Sequence, residues 1–258
     1  MKITVLTENT TSSPHFGAEH GLSLLVKTGD KTILFDTGQS DLFFENAKKL
    51  GISLDSVDFA VISHGHYDHT GGIGKFLKEN TEAPVFINPL AFGEYYNGTE
   101  KYIGMEKTLC GNPRFILTDM VHHISPHITL YRAEDAPTPF AINSGGLNEK
   151  SKGEFVPDTF LHEQYLLIEE KGRRILLSGC SHRGIMNIAA AFKPDVLIGG
   201  FHLSKFPLGD DLKSAADYLD SFQTDFYTCH CTGEAQFEFM SQYMKNLHYI
   251  RSGDSFTI

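Results

Sequence analysis

The chain has 258 residues, a formal net charge of −10, and 41% hydrophobic and 21% charged residues. These proportions fit one large α/β domain spanning residues 1–258, and the acidic balance argues against nucleic acid as a main partner. No stretch approaches the roughly 20 apolar residues of a membrane span, so no membrane partner is expected. Met1 to Glu8 turns polar too early for an export signal and reads as an edge strand. Leu22 to Val26 and Thr32 to Phe35 read as strands joined by the turn Thr28-Gly29-Asp30-Lys31. Asp41 to Leu50 reads as a helix with Phe43, Ala47 and Leu50 on one face, and Phe59 to Ser63 as a buried strand. A short helix and a strand near Pro84 to Ile87 follow.

From about residue 95 to 160 the periodicity weakens. Asn97-Gly98, Gly111-Asn112-Pro113, Pro137-Thr138-Pro139 and Ser144-Gly145-Gly146 punctuate it. This stretch is expected to be a loop-rich lid or insertion covering a substrate. Beyond it, Tyr165 to Glu169 and Arg174 to Ser178 form a hairpin, a helix follows His182, and Val196 to Ile198 is a strand. A helix over Asp211 to Phe222 presents Leu212, Ala215, Ala216 and Leu219 on one side. Phe226-Tyr227 ends in a strand, Ala235 to Met244 is helical, and Tyr249 to Ile258 closes the sheet. Strand–helix alternation of this kind predicts α/β layering.

The chemistry concentrates in His64-Gly65-His66-Tyr67-Asp68-His69, directly after Phe59-Ala60-Val61-Ile62. Neutral imidazole suits zinc, iron, manganese or nickel, and a carboxylate adds an anionic oxygen. Four such groups in six residues are costly without a cation to organise them; the alternative is a solvated, His-rich turn. Further ligands must come from other loops, because an open catalytic zinc keeps three protein ligands. Cys180 and His182 in Ser178-Gly179-Cys180-Ser181-His182, and His230 in Cys229-His230-Cys231, both follow strands. In an extended segment Cys229 and Cys231 point away from His230, so His230 alone is expected as a ligand. Four cysteines in a chain of this length make no disulfide framework, and a reducing, cytoplasmic setting with free or metal-bound thiols is expected.

H-x-H-x-D-H after a strand resembles the metallo-β-lactamase superfamily. The resemblance implies an α/β (αββα) four-layer sandwich of two mixed sheets flanked by helices. It also implies that His64 and His66 serve one metal, while Asp68 and His69 serve a second and Asp68 orients the attacking water. Cys180 stands where the superfamily has a bridging aspartate, so either its thiolate binds metal or His182 takes over that role. His230 matches the last histidine, His162 is the stand-in for a further upstream one, and Asp36 in Asp36-Thr37-Gly38 orients the metal-binding loop. Glu19-His20-Gly21-Leu22-Ser23, Gly199-Gly200-Phe201-His202-Leu203 and His230-Cys231-Thr232-Gly233 are together similar to the metal-dependent hydrolases of β-lactamase superfamily II. That group includes archaeal proteins joining a dihydropterin-methyl diphosphate to a ribofuranosylaminobenzene phosphate. By this resemblance Glu19, His20 and His202 line the substrate pocket.

The leading expectation is a metal-dependent hydrolase with one or two divalent ions, zinc first and manganese, iron or magnesium as alternatives. Metal-activated water would attack a small ester, lactone, thioester or phosphoester, an anionic group on the substrate being one option. A transferase acting on a pterin diphosphate is the second reading, with Lys101, Lys107 or Arg114 folding over the site. A non-enzymatic metal or ligand sensor on the same fold is the third.

Overall fold

The structure, a computed structural model, describes residues 1–135 and 137–258. One seven-stranded sheet runs β18-β1-β2-β3-β4-β5-β8. Its strands are β1 (Lys2–Thr7), β2 (Ser23–Lys27), β3 (Thr32–Phe35), β4 (Phe59–Ile62), β5 (Val85–Ile87), β8 (Phe115–Leu117) and β18 (Ser255–Thr257). A second runs β17-β16-β15-β14-β13-β10-β9. It comprises β9 (Val121–Ser125), β10 (Ile128–Arg132), β13 (Gln164–Glu170), β14 (Arg173–Leu177), β15 (Val196–Gly199), β16 (Asp225–Thr228) and β17 (Leu247–Tyr249). A third, small sheet consists of β6 (Tyr95–Asn97), β7 (Lys101–Tyr102), β11 (Leu147–Ser151) and β12 (Glu154–Pro157). Both large sheets are mixed: β3, β4, β5 and β8 are parallel, as are β14 to β17, and the remaining pairings are antiparallel.

The alternation within each strand dictates the layers. Ile33, Phe35, Phe59 and Val61 of one sheet meet Leu166, Ile168, Ile175, Leu177, Val196 and Ile198 of the other in a shared core. The residues between them point outward, where Leu34, Ala60 and Ile62 pack beneath the helices α1 (Leu42–Lys49) and α3 (Ile73–Glu79). Leu167, Leu176 and Leu197 pack beneath α4 (Ile185–Phe192), α5 (Asp210–Asp220) and α6 (Glu234–Met240). Strands apolar on both faces need cover on both faces, which gives the four-layer αββα order. Among the described residues no helix is long and apolar enough to cross a membrane.

Three expectations change. β1 is an interior strand, because β18 pairs along its outer side. The last residues do not close one sheet: β17 completes the second and β18 the first, so the chain end crosses between them. The segment 95–160 is less loop-rich than its sequence suggests, since β8 joins the first sheet and β9 and β10 the second. β8 and β9 are short and half exposed, so they carry little of the alternation that marks a strand. Among the described residues, β6, β7, β11 and β12 alone pair outside the two large sheets, and Tyr95, Ile103, Leu147 and Phe160 form a small core there against which Tyr67 packs.

Leu166→Ala, fully buried between the sheets, should lower unfolding free energy by about 2–5 kcal/mol in equilibrium chemical denaturation. Leu208→Ala, 54% exposed, should change it by less than about 0.5 kcal/mol. Equal losses would contradict the layer assignment.

Candidate metal centre

The parallel strands of both sheets finish at one rim, the place where open α/β sheets bind ligands. Asp36 follows β3, Ser63 and His64 follow β4, Cys180 and His182 follow β14, His202 follows β15, and His230 follows β16. A short helix α2 (Tyr67–Thr70) then turns Asp68 and His69 back toward the rim. The result is two adjacent groups of buried donors: His64, His66 and His182 in one, Asp68, His69, Cys180 and His230 in the other. The rings of His64 and His69 join them, with centroids 4.2 Å apart.

The separations within each group fit a shared cation. His66 Nδ1 lies 3.2 Å from His182 Nε2, and His69 Nε2 lies 3.2 Å from His230 Nε2. His69 Nε2 is 3.1 Å from Cys180 Sγ, and His230 Nε2 is 3.3 Å from Asp68 Oδ2. Nitrogen or oxygen donors bonded to one tetrahedral ion at about 2.0–2.1 Å stand about 3.3–3.4 Å apart. His64 Nε2, buried in the same place, has no hydrogen-bond partner. A buried polar atom without a partner is costly, and a cation in its group would supply one.

The outer nitrogens explain why the inner ones converge. Asp36 Oδ2 accepts from His69 Nδ1 and from Ser63 Oγ, both at 2.7 Å, while its Oδ1 accepts the Ser63 N–H at 2.7 Å. Ser63 Oγ in turn faces His64 Nδ1 at 2.9 Å, so one carboxylate orients one ligand in each group. Asn9 Oδ1 holds His230 Nδ1 at 2.7 Å. Asp158 Oδ2 lies 3.6 Å from His66 Nε2 and 3.3 Å from His162 Nε2. Two buried glutamates fix ligand backbones. Glu163 accepts the N–H groups of His182 and Arg183, and Glu8 accepts that of His230. Gly179 is required by this packing, because a Cβ there would lie 2.1 Å from Ser63 Oγ.

Electrostatics separates the two groups. Burial, then the neighbouring imidazoles, holds His64 and His182 well below the ordinary histidine range. Burial lowers His66 too, partly opposed by Asp158. These rings are neutral, the form that ligates metal. Burial pushes Asp68 up, but His69 and hydrogen bonds from His20 and His230 outweigh it and hold the carboxyl well below its usual value. Burial pulls His230 down, yet Asp68 and Cys231 push it up to about 9. One group is therefore a neutral nitrogen set and the other carries a carboxylate and a thiol.

Cys180 and His182, expected as alternatives at the position of the superfamily's bridging aspartate, each join a different group. Ser181 between them adopts φ +59°, which turns the two side chains apart. Cys229 and Cys231 also diverge, because His230–Thr232 is a 3-10 turn rather than extended chain. Cys229 enters the core between the sheets and Cys231 approaches Cys180 and His202. His20, 54% exposed, sits over Asp68 with Nε2 3.2 Å from Oδ2. Glu19 is bound elsewhere: its carboxylate accepts from the N–H groups of Gln39 and Ser40 and from Ser40 Oγ. The His202 ring lies against that of His182, centroids 4.1 Å apart and planes tilted by 54°, and both residues border a cavity of about 590 Å³. Phe140, Ile142, Ile185, Met186, Phe206 and Tyr218 wall that cavity, and Lys205 lies beside it.

Of the basic residues expected over the site, Arg114 and Lys107 are engaged elsewhere, and Lys101 lies at the donor motif's Tyr67. Arg114 donates to the carbonyls of Leu77, Asn80 and Ala83, Lys107 pairs with Glu94, and Lys101 lies over the Tyr67 ring. Asp158, Glu163, Glu8 and Asn9 carried no local sequence signal; only the pairing of distant strands brings them to the rim. Asp36→Ala should weaken binding of a divalent cation about 10- to 100-fold, measured by competition with a chromogenic chelator. An unchanged affinity would show that Asp36 does not orient His64 and His69.

Comparison with known proteins agrees with this architecture. Residues 16–221 match the metallo-beta-lactamase superfamily model. The chain is 31% identical over 267 residues to the 7,8-dihydropterin-6-methyl-4-(beta-D-ribofuranosyl)-aminobenzene-5'-phosphate synthase of Methanocaldococcus jannaschii, covering 92% of this chain and 90% of that protein. It is 29% identical over 242 residues to an uncharacterised protein of the same organism, covering 90% of each. The crystal structure of Tm1679, a metal-dependent hydrolase of the beta-lactamase superfamily, superposes with a TM-score of 0.85 at 31% identity, over 100% of this chain and 99% of that one. Family match, full-length similarity and the shared fold together place this chain in the metallo-beta-lactamase superfamily.

Proposed function

We propose that the protein is a metal-dependent hydrolase of a small substrate with a largely apolar body. The observation that carries this reading is the pair of adjacent donor groups, one of whose members, His182, borders a sizeable apolar cavity. His64, His66 and His182 would hold one divalent cation, and Asp68, His69, Cys180 and His230 a second. The chemistry supplied there would be Lewis acidity and activation of water as a nucleophile at neutral pH. Imidazole and thiolate donors favour zinc, with iron or manganese next; the sulfur of Cys180 disfavours magnesium.

The chain's own residues divide the remaining work. Asp68, held ionised by its histidine neighbours, would orient the attacking water through a hydrogen bond. His20 covers Asp68 from the solvent side and steadies it. The aromatic and aliphatic cavity walls bind the substrate body, and Lys205 would meet an anionic group on it. The scissile bond of an ester, lactone, thioester or phosphoester would lie where the cavity meets His182 and His202. A reducing cytoplasm suits the free thiols Cys180, Cys229 and Cys231.

One observation favours a second reading, a transferase acting on a dihydropterin-methyl diphosphate: the synthase similar over 92% of the chain. The aromatic cavity walls would accept a planar heterocycle. Elemental analysis and turnover assays on the wild type and a His64→Ala/His66→Ala variant test both readings. Near-stoichiometric zinc, iron or manganese that the variant loses, with hydrolysis of a panel ester, lactone, thioester or phosphodiester falling to background, is expected. Diphosphate release from a pterin diphosphate plus an aryl amine, without hydrolysis of the panel, would replace the first reading by the second. Full activity in Asp68→Asn would remove the role given to Asp68.

A further inference from the structure

Beside the two imidazole-rich groups lies a third convergence of donors that the proposed reaction does not use in full. We propose that Cys180, Cys231 and His202 form a sulfur-rich site for a thiophilic d10 cation, with Cys180 shared between this ion and the neighbouring group. Their ligating atoms all lie within 4.8 Å of one another, and both thiols are buried. Each comes from a different loop, after β14, β16 and β15 respectively.

The chain is shaped to bring them together. Gly200 lets the end of β15 close on the β16 loop, because a Cβ at that position would lie 2.4 Å from Cys231 Sγ. His202 is then held at φ +54°, a left-handed conformation that a side-chain-bearing residue adopts at a cost. Its own N–H bonds to Cys231 Sγ at 3.2 Å, and its buried ring Nδ1 has no partner. His230, the residue before Cys231, is also left-handed, which rotates Cys231 toward Cys180 while Cys229 stays in the core. Strain, a side-chain-free approach and an unpartnered ring nitrogen around two thiols mark a site with a ligand of its own.

Two sulfurs and one nitrogen select for zinc, cadmium or copper(I) and against magnesium, calcium or manganese. Binding would release the thiol protons to solvent. The bound ion would tie the loops after β14, β15 and β16 together, independently of which bond the enzyme breaks.

The test is cadmium exchange into the wild type, Cys231→Ser, His202→Gln and the His64→Ala/His66→Ala variant, read by elemental analysis and cadmium NMR. The wild type should hold one equivalent more cadmium than Cys231→Ser or His202→Gln. It should also show a two-sulfur resonance that both lack and that His64→Ala/His66→Ala keeps. That last variant separates this site from the proposed hydrolytic centre, since it removes donors of the latter alone. Equal cadmium content and identical resonances in the wild type and both single variants would overturn the proposal. If Cys231→Ser does not fold, His202→Gln decides the matter alone, because His202 is only half-buried and its loss opens no core cavity.

Discussion

The rim of this protein depends on one buried carboxylate. Asp36 is fully buried and accepts three hydrogen bonds: two from Ser63 and one from His69. A carboxylate without those donors would be expensive to bury. Satisfied by them, it locks the end of β3 to the end of β4. The same bonds point His69 Nε2 into one donor group and, through Ser63 Oγ, His64 Nε2 into the other. Structure and chemistry are therefore the same interaction here, and the left-handed φ of +58° at Asp36 is offset by what its side chain secures.

The pattern recurs around the rim. Glu163 clamps the backbone before α4 and Glu8 clamps His230, so the loops of His182 and His230 are each fixed by an acid from a different part of the chain. Four side-chain-bearing residues with left-handed backbone, Asp36, Ser181, His202 and His230, stand at four of the five strand ends that supply the site, those of β3, β14, β15 and β16. Tight turns of this kind aim short side chains that an extended exit would leave pointing at opposite faces. The rigid double sheet beneath supplies the apolar burial that makes such strain tolerable.

The sequence discloses what is consecutive. His64, His66, Asp68 and His69 declare themselves because ligands packed into six residues have few other uses, and the alternating strands declare the layered fold. Relations between loops are hidden. Nothing local tells that Cys180 and His182 diverge, since that depends on the left-handed turn at Ser181. Cys229 and Cys231 look equivalent until a 3-10 turn sends one into the core. Asp158, Glu163, Glu8 and Asn9 read as ordinary polar residues, because burial and partnership come from strands far apart in the chain. Glu19 is a further case: the phrase around it does not disclose that its carboxylate accepts hydrogen bonds from the loop at Gln39 and Ser40.

The claim at the centre of this account is that two adjacent groups of donors each hold a cation. Anomalous diffraction at the zinc edge, from crystals of the protein supplied with zinc, addresses it most directly. One peak should lie within bonding distance of His64 Nε2, His66 Nδ1 and His182 Nε2, and a second among Asp68, His69, Cys180 and His230. Zinc found only at surface residues, with neither group occupied, would contradict it.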